Sequence, residues 1–159
     1  DLARLESGVG ELELVALDLS GLLQGSLRRL QPLLHEAGLT VEWSGPASPV
    51  MVRADGRRLE QVFDNLIINT IRYVPRGGRV KVTLEKRERV KLTVEDNGPG
   101  IPEPDLEHVF DRFYRADPSR SSAGTGLGLA IVREIVRRHG GSVSAGRSAE
   151  GGARLIVEL

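Results

Sequence analysis

The sequence predicts an α/β fold, an α+β sandwich: a mixed, mostly antiparallel sheet of about five strands with helices packed on one face. Three observations lead there. Apolar residues recur at helical spacing through Leu59, Val62, Phe63, Leu66, Ile67 and Thr70, and again across residues 127–139. Apolar and polar residues alternate across 80–85 and 90–95, the period of a half-buried strand. The chain has 159 residues, enough for one domain with its own core.

Each element follows in order. Residues 2–6 read as the end of a helix halted at Ser7-Gly8, and 11–16 as a short strand. Asp18 or Ser20 caps a helix that runs to about Ala37, where Gly38 stops it. Residues 39–43 and 50–53 are expected as strands flanking a Gly45-Pro46 turn. Asp55 then caps a long helix, ended by Pro75, Gly77 and Gly78. Strands 80–85 and 90–95 form a hairpin around Glu88-Arg89. The helix over 127–139 ends at Gly140-Gly141, and strands 142–146 and 153–159 close the chain.

Composition excludes several function classes. Lys plus Arg equals Asp plus Glu at 22 each, so no global charge favours nucleic acid or an acidic membrane. With no cysteine there are no disulfides and no thiolate metal sites, which fits a reducing compartment. No apolar run approaches a membrane span and no signal peptide opens the chain, so no direct membrane insertion is expected. The first residue is Asp, as expected of a piece of a longer protein.

Four segments carry chemistry. On the long helix Asn65 and Asn69 lie one turn apart and share a face, with Arg72 and Tyr73 continuing it. Two amide oxygens so placed suit a hard cation such as Mg²⁺, which takes few protein ligands besides phosphate and water. On their own, two such residues more often mark a solvated helix face. Asp96-Asn97-Gly98-Pro99-Gly100 ends a strand; it reads as a tight turn, or as a carboxylate that accepts the exocyclic amine of adenine. On the second reading Gly98 and Gly100 let backbone and water approach the ring. Gly124-Thr125-Gly126-Leu127-Gly128-Leu129-Ala130 opens a helix, whose free N–H groups and dipole can cradle phosphate. It is neither a dinucleotide fingerprint nor a P-loop: the third Gly would fall at Leu129, and no Gly-Lys-Ser/Thr occurs. Phe110 and Phe113 read as anchors of a loop to the core. Arg115 enters the small, polar stretch 116–124, read as a lid, where it can reach a terminal phosphate.

In this order and spacing the segments NLIINTIRY (65–73), DNGPGI (96–101), VFDRFYR (109–115) and GTGLGLA (124–130) resemble the N, G1, F and G2 boxes of the ATP-binding catalytic domain of sensor histidine kinases. That family belongs to the superfamily of Hsp90, gyrase B and MutL, with the Bergerat ATP-binding fold. The resemblance is strong over 55–159 and general before it. It implies ATP and Mg²⁺ as cofactors. Asn69 would contact the metal with Asn65 beside it, Arg72 would touch phosphate, and Tyr73 would pack near the base. Asp96 would read adenine, with Gly98, Gly100 and Ile101 around it. Thr125, Gly126, Leu127, Gly128 and Leu129 would hold the phosphates. Asn69 and Arg115 would carry catalysis.

Two departures stand out. The N box more often continues Asn-Ala-x-Lys; here it is Asn69-Thr70-Ile71-Arg72, which keeps the charge as a fork instead of a point. No histidine has the phosphoacceptor context His-Glu/Asp-x-Arg/Lys-x-Pro; His35, His108 and His139 read as ordinary helix residues. The resemblance therefore implies an upstream dimerisation domain bearing the acceptor, of which residues 1–8 are the tail, and a catalytic domain over 9–159. Its further partner would be a response regulator receiver domain. The location would be cytoplasmic, as part of a membrane-anchored sensor. A serine kinase of the anti-sigma type, a mechanochemical ATPase and a non-catalytic nucleotide-sensing module remain as alternatives.

Overall fold

The computed structural model describes residues 11–114 and 128–159. Five strands form the main sheet: β2 (Thr40–Ser44), β4 (Arg79–Lys86), β5 (Val90–Asp96), β6 (Ser142–Arg147) and β7 (Ala153–Glu158). Their order is β2-β4-β5-β7-β6; β2 runs parallel to β4, and every other pair is antiparallel. The hairpin β4–β5 is in register from Val80–Asp96 to Lys86–Val90, as the alternation predicts.

One face of the sheet makes the core. Val80, Val82 and Leu84 of β4, Leu92 and Val94 of β5, and Leu155 and Val157 of β7 are buried in one cluster with the apolar stripes of three helices. These are α1 (Leu19–Glu36), α2 (Gly56–Tyr73) and α3 (Gly128–Arg138). The middle layer is α2, which packs on α1 and more extensively on α3. Its stripe Leu59, Val62, Phe63, Leu66, Ile67 and Thr70 is fully buried, as the spacing predicts. Thr70 is accepted there because its hydroxyl donates to the Leu66 carbonyl at 3.1 Å.

The other face carries alternating charge. Lys81, Glu95 and Arg154 are paired across β4, β5 and β7, and Glu85, Lys91 and Glu158 form a second such row. Opposite charges on facing positions favour this register and keep the face in water. Helices consequently cover one side only.

Two expectations needed correction. The strand expected at 11–16 is β1 (Val15–Asp18). It pairs antiparallel with β3 (Met51–Ala54) in a separate two-stranded sheet, on the other side of the Gly45-Pro46 turn from β2. Asp18 occupies the N-cap position of α1 but does not cap it with its side chain; Oδ1 accepts from the Val50 amide at 2.9 Å and ties α1 to the start of β3. Asp55 does cap α2, accepting from the Arg58 amide at 3.3 Å. The helix expected over residues 2–6 lies outside the described residues.

His139 fixes how α3 meets α2. Its Nε2 accepts from the Asp55 amide at 3.1 Å, and its Nδ1 lies 2.8 Å from the Ile135 carbonyl, so the proton sits on Nδ1. The end of α3 is thereby fastened to the start of α2, and the two helices run antiparallel. His139→Ala leaves the Asp55 amide without this acceptor and is expected to lower unfolding free energy by roughly 1–2 kcal/mol. Urea unfolding of the two forms checks this; an unchanged midpoint would make the link incidental.

Candidate functional site

Asn65 and Asn69 lie on the side of α2 turned away from its deepest core contacts, about 40° apart around the axis at ~100° per residue. Both are half-buried, and no hydrogen bond among the described residues holds either amide. Arg72 is exposed and Tyr73 half-buried on the next turn. Asp64, adjacent to Asn65, faces elsewhere: its Oδ1 accepts from Arg29 Nη2 of α1 at 2.8 Å. That pair raises the Arg29 guanidinium above its ordinary range through the hydrogen bond to Asp64.

Asp96 ends β5. Its Oδ1 accepts from the amides of Gly98 at 2.9 Å and Ala153 at 3.1 Å. Neither bond uses Oδ2, which stays available to a donor. Asn97 turns the chain here: its Oδ1 accepts from the Arg79 amide at 2.7 Å, and its own amide donates to the Arg79 carbonyl at 3.2 Å. The glycines of this loop serve close packing within the protein. A Cβ on Gly98 would lie 3.2 Å from both Asp96 Oδ1 and Val74 Cγ2; one on Gly100, at φ +78°, would lie 2.8 Å from the Gly151 carbonyl oxygen. The loop is thus pressed between the end of α2 and the β6–β7 turn. Ile101 follows, packed on the core.

These elements converge. Val74 brings the end of α2 against the Asp96 loop. Because the His139–Asp55 bond joins the end of α3 to the start of α2 and the two helices pack together, the start of α3 lies toward the later turns of α2. A Cβ on Gly128 would meet nothing within 4 Å, and Leu129 packs on the core. Arg115, Thr125, Gly126, Leu127 and the lid expected over 116–124 lie outside the described residues.

The segment before Arg115 departs from expectation. Phe110 is buried as an anchor, with Val109 beside it. Phe113 is not an anchor: it is 63% exposed, at φ +61°, with the Arg112 guanidinium 5.6 Å from its ring centre. The left-handed backbone turns the side chain outward. Tyr114 takes the anchoring role instead, donating to Asp105 Oδ1 and lying with its ring 5.7 Å from that of His108. His108 sits in a turn and not in an α-helix. Its Nδ1 is 3.0 Å from Asp111 Oδ2, while Asp111 Oδ1 accepts from Arg133 of α3 at 3.0 Å. The hydrogen bond to Asp111 raises the His108 imidazole above its usual range, and His108 with Arg133 holds Asp111 below the usual carboxylate range.

Sequence reasoning missed the β6–β7 turn. Ser148, Gly152 and Ala153 reach across to Asp96, and their only local signal, Gly151-Gly152 between two strands, reads as an ordinary hairpin. Among the described residues no group of three or more His, Asp or Glu could hold a metal. The Asn65 and Asn69 oxygens are the neutral donors the site offers, a set that fits a cation keeping several waters and phosphate oxygens. No helix among the described residues is long and apolar enough to cross a membrane.

Comparison with known proteins agrees with this geometry. The family described as histidine kinase-, DNA gyrase B-, and HSP90-like ATPase matches residues 54–159. The sensor protein SphS of Synechococcus elongatus is 41% identical over 170 residues, covering 100% of this chain and 41% of SphS. The mycobacterial sensor histidine kinase MprB is similar in structure at TM-score 0.78 and 30% identity, over 92% of this chain and 96% of that one. Full-length ShkA in complex with AMPPNP matches at TM-score 0.85 and 32% identity, over 99% of this chain and 33% of ShkA. The chain thus spans well under half of SphS and nearly all of the MprB structure. With the matched segment covering both Asn65–Tyr73 and the Asp96 loop, the chain belongs to the histidine kinase-, DNA gyrase B- and HSP90-like ATPase family.

Proposed function

We propose that this chain is the ATP-binding catalytic domain of a sensor histidine kinase. It binds Mg-ATP and donates the γ-phosphoryl to a histidine on a separate dimerisation domain, for relay to an aspartate of a response regulator. What supports this reading is the packing of the end of α2, the helix that bears Asn65 and Asn69, against the Asp96 loop, in a chain whose relatives are sensor kinases. Residues 9–159 form the catalytic unit, and 1–8 belong to its connection with the acceptor domain. The parent protein is a membrane-anchored sensor with this part in the cytoplasm.

The roles follow from chemistry. Asp96 accepts from the adenine amine, and Tyr73 and Ile101 flank the base. Asn69, with Asn65, holds Mg²⁺, which when bound neutralises charge on the phosphate oxygens. Arg72 and the amides of Thr125–Leu129 hold the phosphates, and Arg115 meets the terminal one. An imidazole nitrogen of the acceptor attacks the γ-phosphorus, the bond to the β,γ-bridging oxygen breaks, and ADP leaves with the electron pair. Catalysis is alignment and charge stabilisation. Asp64 is engaged by Arg29, which weighs against its use as a hydrolytic base.

The test is transfer in trans. The domain alone, incubated with γ-labelled ATP and Mg²⁺, is expected to bind nucleotide without labelling itself. A dimeric fragment carrying a His-box acceptor should become labelled, slowly, because no tether raises the effective concentration. The label should be acid-labile and base-stable. Acid-stable labelling of serine would favour the serine-kinase alternative, and self-labelling at His35, His108 or His139 would overturn the need for a separate acceptor.

A further inference from the structure

We infer that Ser148 is a specificity-determining positioning residue: it holds Asp96 in the orientation that discriminates adenine from purines lacking the 6-amino group. The inference rests on the reading of Asp96 as the adenine acceptor and adds a residue 52 positions away that no motif of the chain includes.

Ser148 is 6% exposed, at the turn between β6 and β7. A hydroxyl so buried needs partners, and this one has two. Oγ donates to the Asp96 carbonyl at 2.7 Å and accepts from the Gly152 amide at 2.9 Å. The Ser148 amide also donates to the Gly152 carbonyl at 2.8 Å, so the turn is closed on itself as it grips Asp96. The approach is close. A Cβ on Gly152 would lie 2.1 Å from the Asp96 carbonyl oxygen and 2.5 Å from Oδ1, a space only glycine leaves open.

The consequence is geometric. With the turn seated, the Ala153 amide reaches Asp96 Oδ1 at 3.1 Å, opposite the Gly98 amide at 2.9 Å. Two backbone donors on one carboxylate oxygen fix the plane of the carboxylate. Oδ2 is then the oxygen presented to a ligand. Without the Ser148 hydroxyl the Asp96 peptide loses a tie to the turn, and the sheet pairing of Ala153 and Arg154 is left to hold the Ala153 amide against Oδ1 with less support. The carboxylate can then rotate, and a rotating acceptor selects poorly for a single donor on a planar base. Arg79 reinforces the clasp from outside, its guanidinium 3.2 Å from Glu150 of the same turn.

Binding of ATP and of purine riboside triphosphate, both with Mg²⁺, measured for the wild type, Ser148→Ala, Ser148→Thr and Asp96→Asn, tests the inference. The wild type is expected to prefer ATP by about 10- to 150-fold, the range for one hydrogen bond to a charged group. Ser148→Ala should shrink that ratio several-fold while purine riboside triphosphate binds nearly as before, and Ser148→Thr should restore it. A purely structural role would weaken both nucleotides together and leave the ratio intact; that result overturns the inference. If Ser148→Ala does not fold, Ser148→Cys, of similar volume and much weaker in hydrogen bonding, gives the same readout. A wild type without preference, unchanged by Asp96→Asn, removes the adenine role of Asp96 itself. A preference lost in Asp96→Asn but kept in Ser148→Ala removes only Ser148.

Discussion

Asn69→Ala is expected to slow phosphoryl transfer to an acceptor fragment by roughly 100-fold or more, the scale on which losing one electrostatic stabiliser slows a reaction. The fold should survive. Asn69 is half-buried beside the sealed stripe of α2, and no hydrogen bond among the described residues depends on its amide. Removing it therefore leaves the packing of Leu66, Ile67 and Thr70 as it was. On the proposed role an oxygen ligand for Mg²⁺ disappears, so affinity for Mg-ATP should fall while affinity for adenosine, which has no phosphates, stays close to wild type. Single-turnover labelling, titrations with both ligands and a thermal melt separate the effects. Normal transfer at ordinary Mg²⁺, or a variant that unfolds, would show that Asn69 serves the helix and not the metal.

Asp96→Ala is expected to weaken ATP binding by roughly 1.5–3 kcal/mol, or about 10- to 150-fold, because on the proposed role the adenine amine loses a charged acceptor. GTP, which presents O6 where adenine presents an amine, should bind the wild type poorly and respond little to the substitution. The variant also frees the Gly98 and Ala153 amides that Oδ1 accepts from, so some loosening of the loop is built into the same change. Comparing ATP with GTP isolates the part due to the base. Equal binding of the two by the wild type would take Asp96 out of that role.

The parts of the fold legible in the sequence are those written locally. The stripe from Leu59 to Thr70, the Asp55 cap and the β4–β5 alternation each depend on neighbours within one or two turns or strands, and each forms as expected. The pairing of β3 with β1 depends on contacts across nearly forty residues, and nothing in either strand names its partner. The candidate site divides the same way. Asn65 and Asn69 were visible because α-helical spacing puts them on one face. The clasp of Ser148 and Gly152 on Asp96 was not, because a serine and a glycine in a hairpin turn look alike whether or not a peptide from elsewhere lies against them. Phe113 departs from the anchor its motif predicts because a left-handed backbone at a bulky residue has no sequence signature.

The central helix has a consequence for how this domain can change over generations. From Asp55 to Tyr73 one side of α2 is sealed into the core and the adjoining side carries the asparagines. A substitution alters one position. A single inserted or deleted residue between Leu59 and Asn65 would turn everything after it by about 100° and swing the asparagines out of line with the Asp96 loop. Length in this stretch is therefore expected to tolerate change less than identity does. Random libraries that include insertions and deletions should return almost none here, and many in the 45–49 connection between the two sheets.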